Sequence, residues 1–331
     1  MRIAVFGTGG VGGYFGGRLA QAGHEVAFIA RGEHLKAIRA SGLRVDSPLG
    51  DFVVAPAQAT DDPSQIGEVD VVLLGVKAWQ VRDAARAIRP LVGAHTCVLP
   101  LQNGVEAPDH LAAELGSAHA LGGLCGVISF VAGPGHIRHT AESEPFVTFG
   151  ELDDRPSERT SRLLKAFLDA GVKTQIAPNI RVALWQKLML IVSLSGIGAI
   201  TRTPIGVWRA VPQTRSLYSE VVREVYSVAR ARGIAVPEEH VKTVDDWPDR
   251  LEPGATTSLQ RDIAEGRPSE LEEQIGVVIR TGREVGVEPA VHTFIYHSLL
   301  PCELRARGEA APRAGPGWGN RSRRLRRVPS N

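Results

Sequence analysis

Apolar and polar positions alternate along the first half of the chain in a way that sorts it into short strands and intervening helices. Residues 2–6 form an apolar run, 10–22 carry helical spacing, and 25–29 form a second run. Further strands are expected over 69–74, 96–99 and 121–129, with helices over 81–91 and 105–115. Strands alternating with helices are the pattern of a parallel sheet covered on both faces, so the first half is predicted to be doubly wound α/β. Pro134-Gly135 marks a hairpin, and a strand near 146–149, a helix over 158–170 and a last strand over 172–176 follow before Pro178 punctuates the chain.

Beyond residue 180 the strand signals vanish. Helical periodicity is expected over 213–232 and 269–285, with a short apolar stretch near 294–300. The most apolar segment, 188–200, is too short for a membrane span and is interrupted by Ser193, Ser195, Gly196 and Gly198, which suits a buried helix. The expected division is therefore an α/β nucleotide-binding unit over 1–177, a helical unit over 178–310 and a tail over 311–331. A cleft between the first two is a natural substrate site.

The chain has 331 residues, 43% hydrophobic and 22% charged, enough for two cores. No signal peptide is expected at the N-terminus. The net charge of +2 hides an asymmetry: from Ala311 onward there are six arginines and no acid, leaving the remainder with an excess of four acidic residues. A Pro/Gly-rich basic end is expected to be disordered and argues for neither a nucleic-acid nor a membrane partner. Cys97, Cys125 and Cys302 are far apart, which fits a reducing cytoplasm and no disulfide or zinc framework. His136 and His139 lie three apart on a strand pattern and so face opposite ways; no metal is expected.

Gly7-Thr8-Gly9-Gly10-Val11-Gly12 gives G-x-G-x-x-G between a strand and a helix. Gly7 permits the tight turn, Gly9 a close approach to a pyrophosphate, and Gly12 close helix packing, while the helix N-terminus offers free N–H donors. At the end of the second strand stands Arg31, where an NAD enzyme would usually carry an acid. A guanidinium there suits the 2′-phosphate of NADP, although a surface arginine capping the next turn is the plainer alternative.

Two further motifs follow expected strands: Val76-Lys77-Ala78-Trp79-Gln80 and Leu101-Gln102-Asn103-Gly104. With the glycine loop, and with Leu184-Trp185-Gln186-Lys187-Leu188, Thr257-Ser258-Leu259-Gln260-Arg261-Asp262 and Glu270 in the helical half, the chain resembles the ketopantoate reductase (2-dehydropantoate 2-reductase) family over residues 1 to about 308. The resemblance implies a Rossmann domain followed by a helical domain similar to that of 6-phosphogluconate dehydrogenase, and NADPH-dependent reduction of a small 2-keto acid, ketopantoate to pantoate on the way to coenzyme A. It implies that Lys187 donates the proton, that Lys77 and Asn103 line the cofactor and substrate cleft, that Ser258 helps hold the substrate, and that Glu270 contacts the cofactor ribose and orders the site. Chemistry alone also asks for a cation beside a ketone receiving hydride. From the residues alone, Lys187 also suits a snorkelling lysine and Glu270 an acidic helix start.

The family typically carries asparagines four and eight residues after the lysine and another in the following turn; here those positions are Ile191, Ser195 and Ile205. Ala255 likewise stands where an asparagine precedes the Ser258 motif. Ser195 is the remaining candidate for holding substrate on that helix. A paralogous reductase of a more apolar 2-keto acid is therefore the alternative, and a non-catalytic NADP sensor a third reading. The apolar helical half is compatible with a homodimer.

Overall fold

The computed structural model describes residues 1–309; the basic tail expected over 311–331 lies outside the described residues. Strands β1 (Arg2–Phe6), β2 (Glu25–Ile29), β5 (Gln58–Thr60), β6 (Val71–Leu74) and β7 (Cys97–Pro100) form a parallel sheet in the order β5-β2-β1-β6-β7. Alternation along β1 sends Ile3 and Val5 into one core layer and Ala4 and Phe6 into the other, which is why the run is apolar throughout. Helix α1 (Gly10–Gln21) follows β1, and α2 (Gly32–Ser41) follows β2. On the far side of β6 lie α3 (Val81–Ala87) and α4 (Ala107–Leu115). The expected helix 81–91 stops early because Pro90 closes it into a 3-10 turn, Arg89–Leu91.

One expectation is corrected. The single strand read over 121–129 is two: β8 (Gly122–Gly126) and β9 (Ser129–Gly133), which pair in different sheets. β8 runs antiparallel to β11 (Phe146–Gly150), which pairs in parallel with β12 (Lys173–Ile176) beyond α5 (Glu158–Asp169). A bridge between Val98 and Ala120 joins this small sheet to the edge of the main one. β9 instead turns through Pro134-Gly135 onto β10 (His136–His139), in a second sheet with β3 (Leu43–Asp46) and β4 (Phe52–Val54). Apolarity continues without a break through Val127 and Ile128, so hydrophobic pattern alone conceals the change of sheet.

After Ile176 every regular element among the described residues is helical. Helix α6 (Ile180–Thr201) is apolar on all sides and long enough to cross a membrane, but it packs against β8, α8 (Pro212–Ala231), α10 (Ser258–Ala264) and α12 (Ala290–Ala306). Asn179 caps it by accepting from Val182 N at 2.9 Å. α7 (Ile205–Arg209) and α9 (Glu238–Asp245) complete the flank. The helix expected over 269–285 is not uniform: a π-helical segment, Glu272–Gly276, precedes α11 (Val277–Glu284). Such segments widen the helix by one residue and recur at functional sites.

Candidate active site

The glycine loop between β1 and α1 is shaped by backbone proximity. Gly7 has φ of 94°, and a Cβ there would lie 2.8 Å from the Val76 side chain; a Cβ on Gly12 would collide with the Gly7 carbonyl. Gly10 abuts the backbone of Ser129 and Phe130, whereas Gly9 faces open space. Thr8 turns its hydroxyl inward, donating to the Ile29 carbonyl at 3.0 Å. The first-turn N–H groups of Gly10, Val11 and Gly12 have no acceptor within the helix, which leaves a ready anion site.

Beside this loop is a cavity of about 550 Å³ bounded by Gly7, Thr8, Gly9, Arg31, His34 and Gln80, among others. Arg31 is exposed at the start of α2 and has no ion pair among the described residues. His34 was not singled out in the sequence. Its Nδ1 accepts from Gly135 N at 3.0 Å, so its Nε2 carries the proton and donates to the Thr8 carbonyl at 2.8 Å. The histidine thereby ties the loop to the β9–β10 hairpin. An exposed guanidinium, open space over Gly9 and free helix N–H groups together suit a phosphorylated dinucleotide.

The C-terminal ends of β6, β7 and β8 carry the remaining residues, facing the helical half. Gln102 is buried and donates from Nε2 to the Leu74 and Val76 carbonyls, at 2.7 and 3.0 Å, holding the two strand ends together. Asn103, next to it, is partly exposed, and its side chain makes no hydrogen bond among the described residues. Lys77 pairs with Asp262 of α10 at 2.9 Å, and Asp262 also accepts both Nε and Nη2 of Arg267. Glu270, 6% exposed, accepts from Ala78 N through Oε1 and from Gln274 Nε2 through Oε2, each at 3.0 Å. Bidentate use of this kind fixes a carboxylate whose three torsions would otherwise be free.

Lys187 lies two turns into α6 and is partly buried; its ammonium donates to the Cys125 carbonyl at the end of β8. Burial pushes its pKa below the usual lysine range, with the Cys125 thiol and the Glu270 carboxylate pulling the other way. Glu273, three residues past Glu270, is pushed up to about 7 by burial and the nearby Glu270 charge, and its Oε2 has no partner among the described residues. Lys77, Glu270 and Lys187, distant in sequence, are thus brought to the C-terminal ends of β6 and β8.

Ser195 lies on α6 two turns past Lys187. It has no accessible surface, and its Oγ has no hydrogen-bond partner among the described residues. Ile205 is likewise 2% exposed, with its N–H donating to the Ala255 carbonyl at 3.1 Å, and Ile191 is partly buried. Ser258 opens α10, partly exposed and with its hydroxyl free of hydrogen bonds among the described residues, while Thr257 supplies the cap by accepting from Gln260 N.

Comparison with known proteins bears on this arrangement. The family model described as Ketopantoate reductase PanE/ApbA matches residues 3–154, and its C-terminal counterpart matches 179–302. A 2-dehydropantoate 2-reductase from Mesorhizobium japonicum is 31% identical, covering 86% of this chain and 92% of that protein. A PanE/ApbA family ketopantoate reductase structure from Ralstonia eutropha superposes with a TM-score of 0.85 at 32% identity, over 93% of this chain and 100% of that one. A D-mandelate dehydrogenase bound to NADH and anilino(oxo)acetate shares the fold, with a TM-score of 0.84 at 22% identity over 93% of this chain and 100% of that one. With both halves of the chain matched in order and the site residues of both drawn to the C-terminal ends of β6 and β8, the chain belongs to the ketopantoate reductase family of oxidoreductases.

Proposed function

We propose that the chain uses NADPH to reduce a small 2-keto acid in the cytoplasm, with ketopantoate to pantoate, a step toward coenzyme A, as the leading reaction. The observation that carries this reading is Lys187, a partly buried ammonium with a lowered pKa, donating to the Cys125 carbonyl at the end of β8. When bound, the reduced nicotinamide supplies a hydride to the ketone carbon. The charge left on the ketone oxygen is then met by the Lys187 N–H, and its proton completes the hydroxyl; solvent reprotonates the amine. A depressed pKa makes that transfer easier, and the nearby Glu270 carboxylate works against part of that shift.

The other residues bind and orient. Gly7, Thr8, Gly9, Gly10, Val11 and Gly12 would hold the pyrophosphate through backbone N–H groups, and Arg31 the 2′-phosphate. Because the fold also serves a dehydrogenase crystallised with NADH, the choice of NADPH rests on Arg31 rather than on the fold. Glu270 would meet the cofactor ribose while anchored to Ala78, Asn103 and Lys77 would line the cleft, and Ser258 would offer its free hydroxyl to the substrate. Ser195 has no part in this scheme.

A second reading, reduction of a more apolar 2-keto acid, is favoured by Ile205, Ile191 and Ala255, which offer a substrate hydroxyl no amide partner. Direct competition between ketopantoate and 2-keto acids with larger apolar side chains, read as a ratio of kcat/KM, separates the two. A ratio favouring ketopantoate supports the leading reaction; the reverse ratio assigns the apolar substrate.

A further inference from the structure

The end of α12 is linked to the candidate active site by a closed ring of contacts that the proposed chemistry does not use. Glu303 is 5% exposed, and its carboxylate accepts from Ser269 N at 3.1 Å to each oxygen, from Ser269 Oγ at 2.5 Å and from Arg307 Nε at 2.6 Å. Arg307 donates a second bond, from Nη2 to the Ser269 carbonyl at 2.9 Å, and its guanidinium sits 4.7 Å from the centre of the Trp79 ring. Ser269, fully buried, is therefore held at its N–H, hydroxyl and carbonyl by two residues of one helix end. The next residue is Glu270, which accepts from Ala78 N, and Ala78 is bonded to Trp79. The path thus returns to its start: Trp79, Arg307, Glu303, Ser269, Glu270, Ala78.

We propose that Glu303 and Arg307 are positioning residues, which set Glu270 and the Lys77-Ala78-Trp79 loop in register across the cleft. An exposed Glu–Arg pair at i,i+4 contributes little. Here the carboxylate is buried and every one of its bonds goes to the residue preceding Glu270 or to the arginine that packs on the opposing loop, so the pair fixes geometry between the two halves. Side chains that meet a cofactor must hold their place to within about half an ångström, and a supporting ring of this kind is how that is done. The inference rests on Glu270 belonging to the active site.

The test is a double-mutant cycle between Arg307→Ala and Glu270→Gln, read both in kcat/KM and in NADPH affinity from tryptophan fluorescence. If the ring positions Glu270, Arg307→Ala lowers kcat/KM by about tenfold in the wild-type background and by less than about twofold once Glu270 is already altered. Arg307→Lys should recover only part of the loss, since an ammonium lacks the fork that reaches Glu303 and Ser269 together. Glu303→Gln, which keeps the volume, should show the same non-additivity and guards against a fold defect in the alanine variant. Equal fold-losses in both backgrounds, in turnover and in NADPH affinity alike, would overturn the proposal. Should no 2-keto acid be turned over, the functional reading fails while the NADPH cycle still decides the ring: coupling supports it, additivity refutes it.

Discussion

The glycine loop and the helical face opposite it would build the proposed site in two different ways. Around Gly7 to Gly12 the ligand groups are backbone atoms of consecutive residues, and the side chains matter mostly by being absent. Across the cleft, Lys187 of α6, Asp262 of α10 and Glu270, just ahead of the π-helical segment, come from separate stretches of chain, and each is fixed by a partner far away in sequence: the Cys125 carbonyl, Lys77 and Ala78 N. The first kind of site tolerates drift elsewhere in the chain. The second can change what it binds by single substitutions, and the apolar Ile191, Ile205 and Ala255 lie on that side.

The sharpest test of this contrast lies on the helical face. Lys187→Ala should lower kcat by about a thousandfold while NADPH affinity changes little, because the lysine acts on the ketone oxygen and not on the glycine loop. Parallel loss of NADPH binding would mean the two regions are not separable. On the nucleotide side, Arg31→Glu should weaken NADPH by about a hundredfold and NADH by no more than a few-fold, measured by equilibrium titration. Equal weakening of both would remove Arg31 from the 2′-phosphate.

Smaller effects probe the junction. Asp262→Asn removes the partner of Lys77 and of Arg267 at an 11%-exposed side chain, and should raise the KM for the keto acid by about fivefold through a loosened Lys77. Glu273→Gln should raise Tm at pH 8 but not at pH 4, by about 2 °C. The sign follows from its carboxyl: held near 7 in the fold against an ordinary 4.5, it binds more protons folded than unfolded, so its contribution is intact below 4.5 and is lost as pH rises through 7. Ser195→Ala should be the mildest, with kcat within about twofold of wild type and Tm unchanged or slightly raised, since a buried hydroxyl without a partner is lost. A large fall in kcat would return Ser195 to the site.

What was legible in the sequence follows the same division. The β1–α1 turn and its glycines are readable because their geometry is local. The main sheet was legible from strands whose runs are apolar on both faces, such as Val71–Leu74. Strands β3, β4 and β5, three or four residues long and mixed in polarity, were not, nor was α2, which buries only Leu35 and Ile38. The switch from β8 to β9 has no signature in hydrophobicity. The motifs singled out Lys77, Asn103, Lys187 and Glu270, and the spacing along α6 singled out Ser195, which is buried; spacing along a nearly all-apolar helix does not say which side meets the cleft. His34 and Glu303 gave no signal, since each becomes meaningful only through a partner about a hundred or about thirty residues away.

The most direct test of the central claim is the loss of NADPH absorbance on adding ketopantoate, or a 2-keto acid with a larger apolar side chain, to the purified chain. The account predicts saturable turnover with at least one of them, and no oxidation of NADPH in their absence. Tight NADPH binding with no turnover of any 2-keto acid would contradict it.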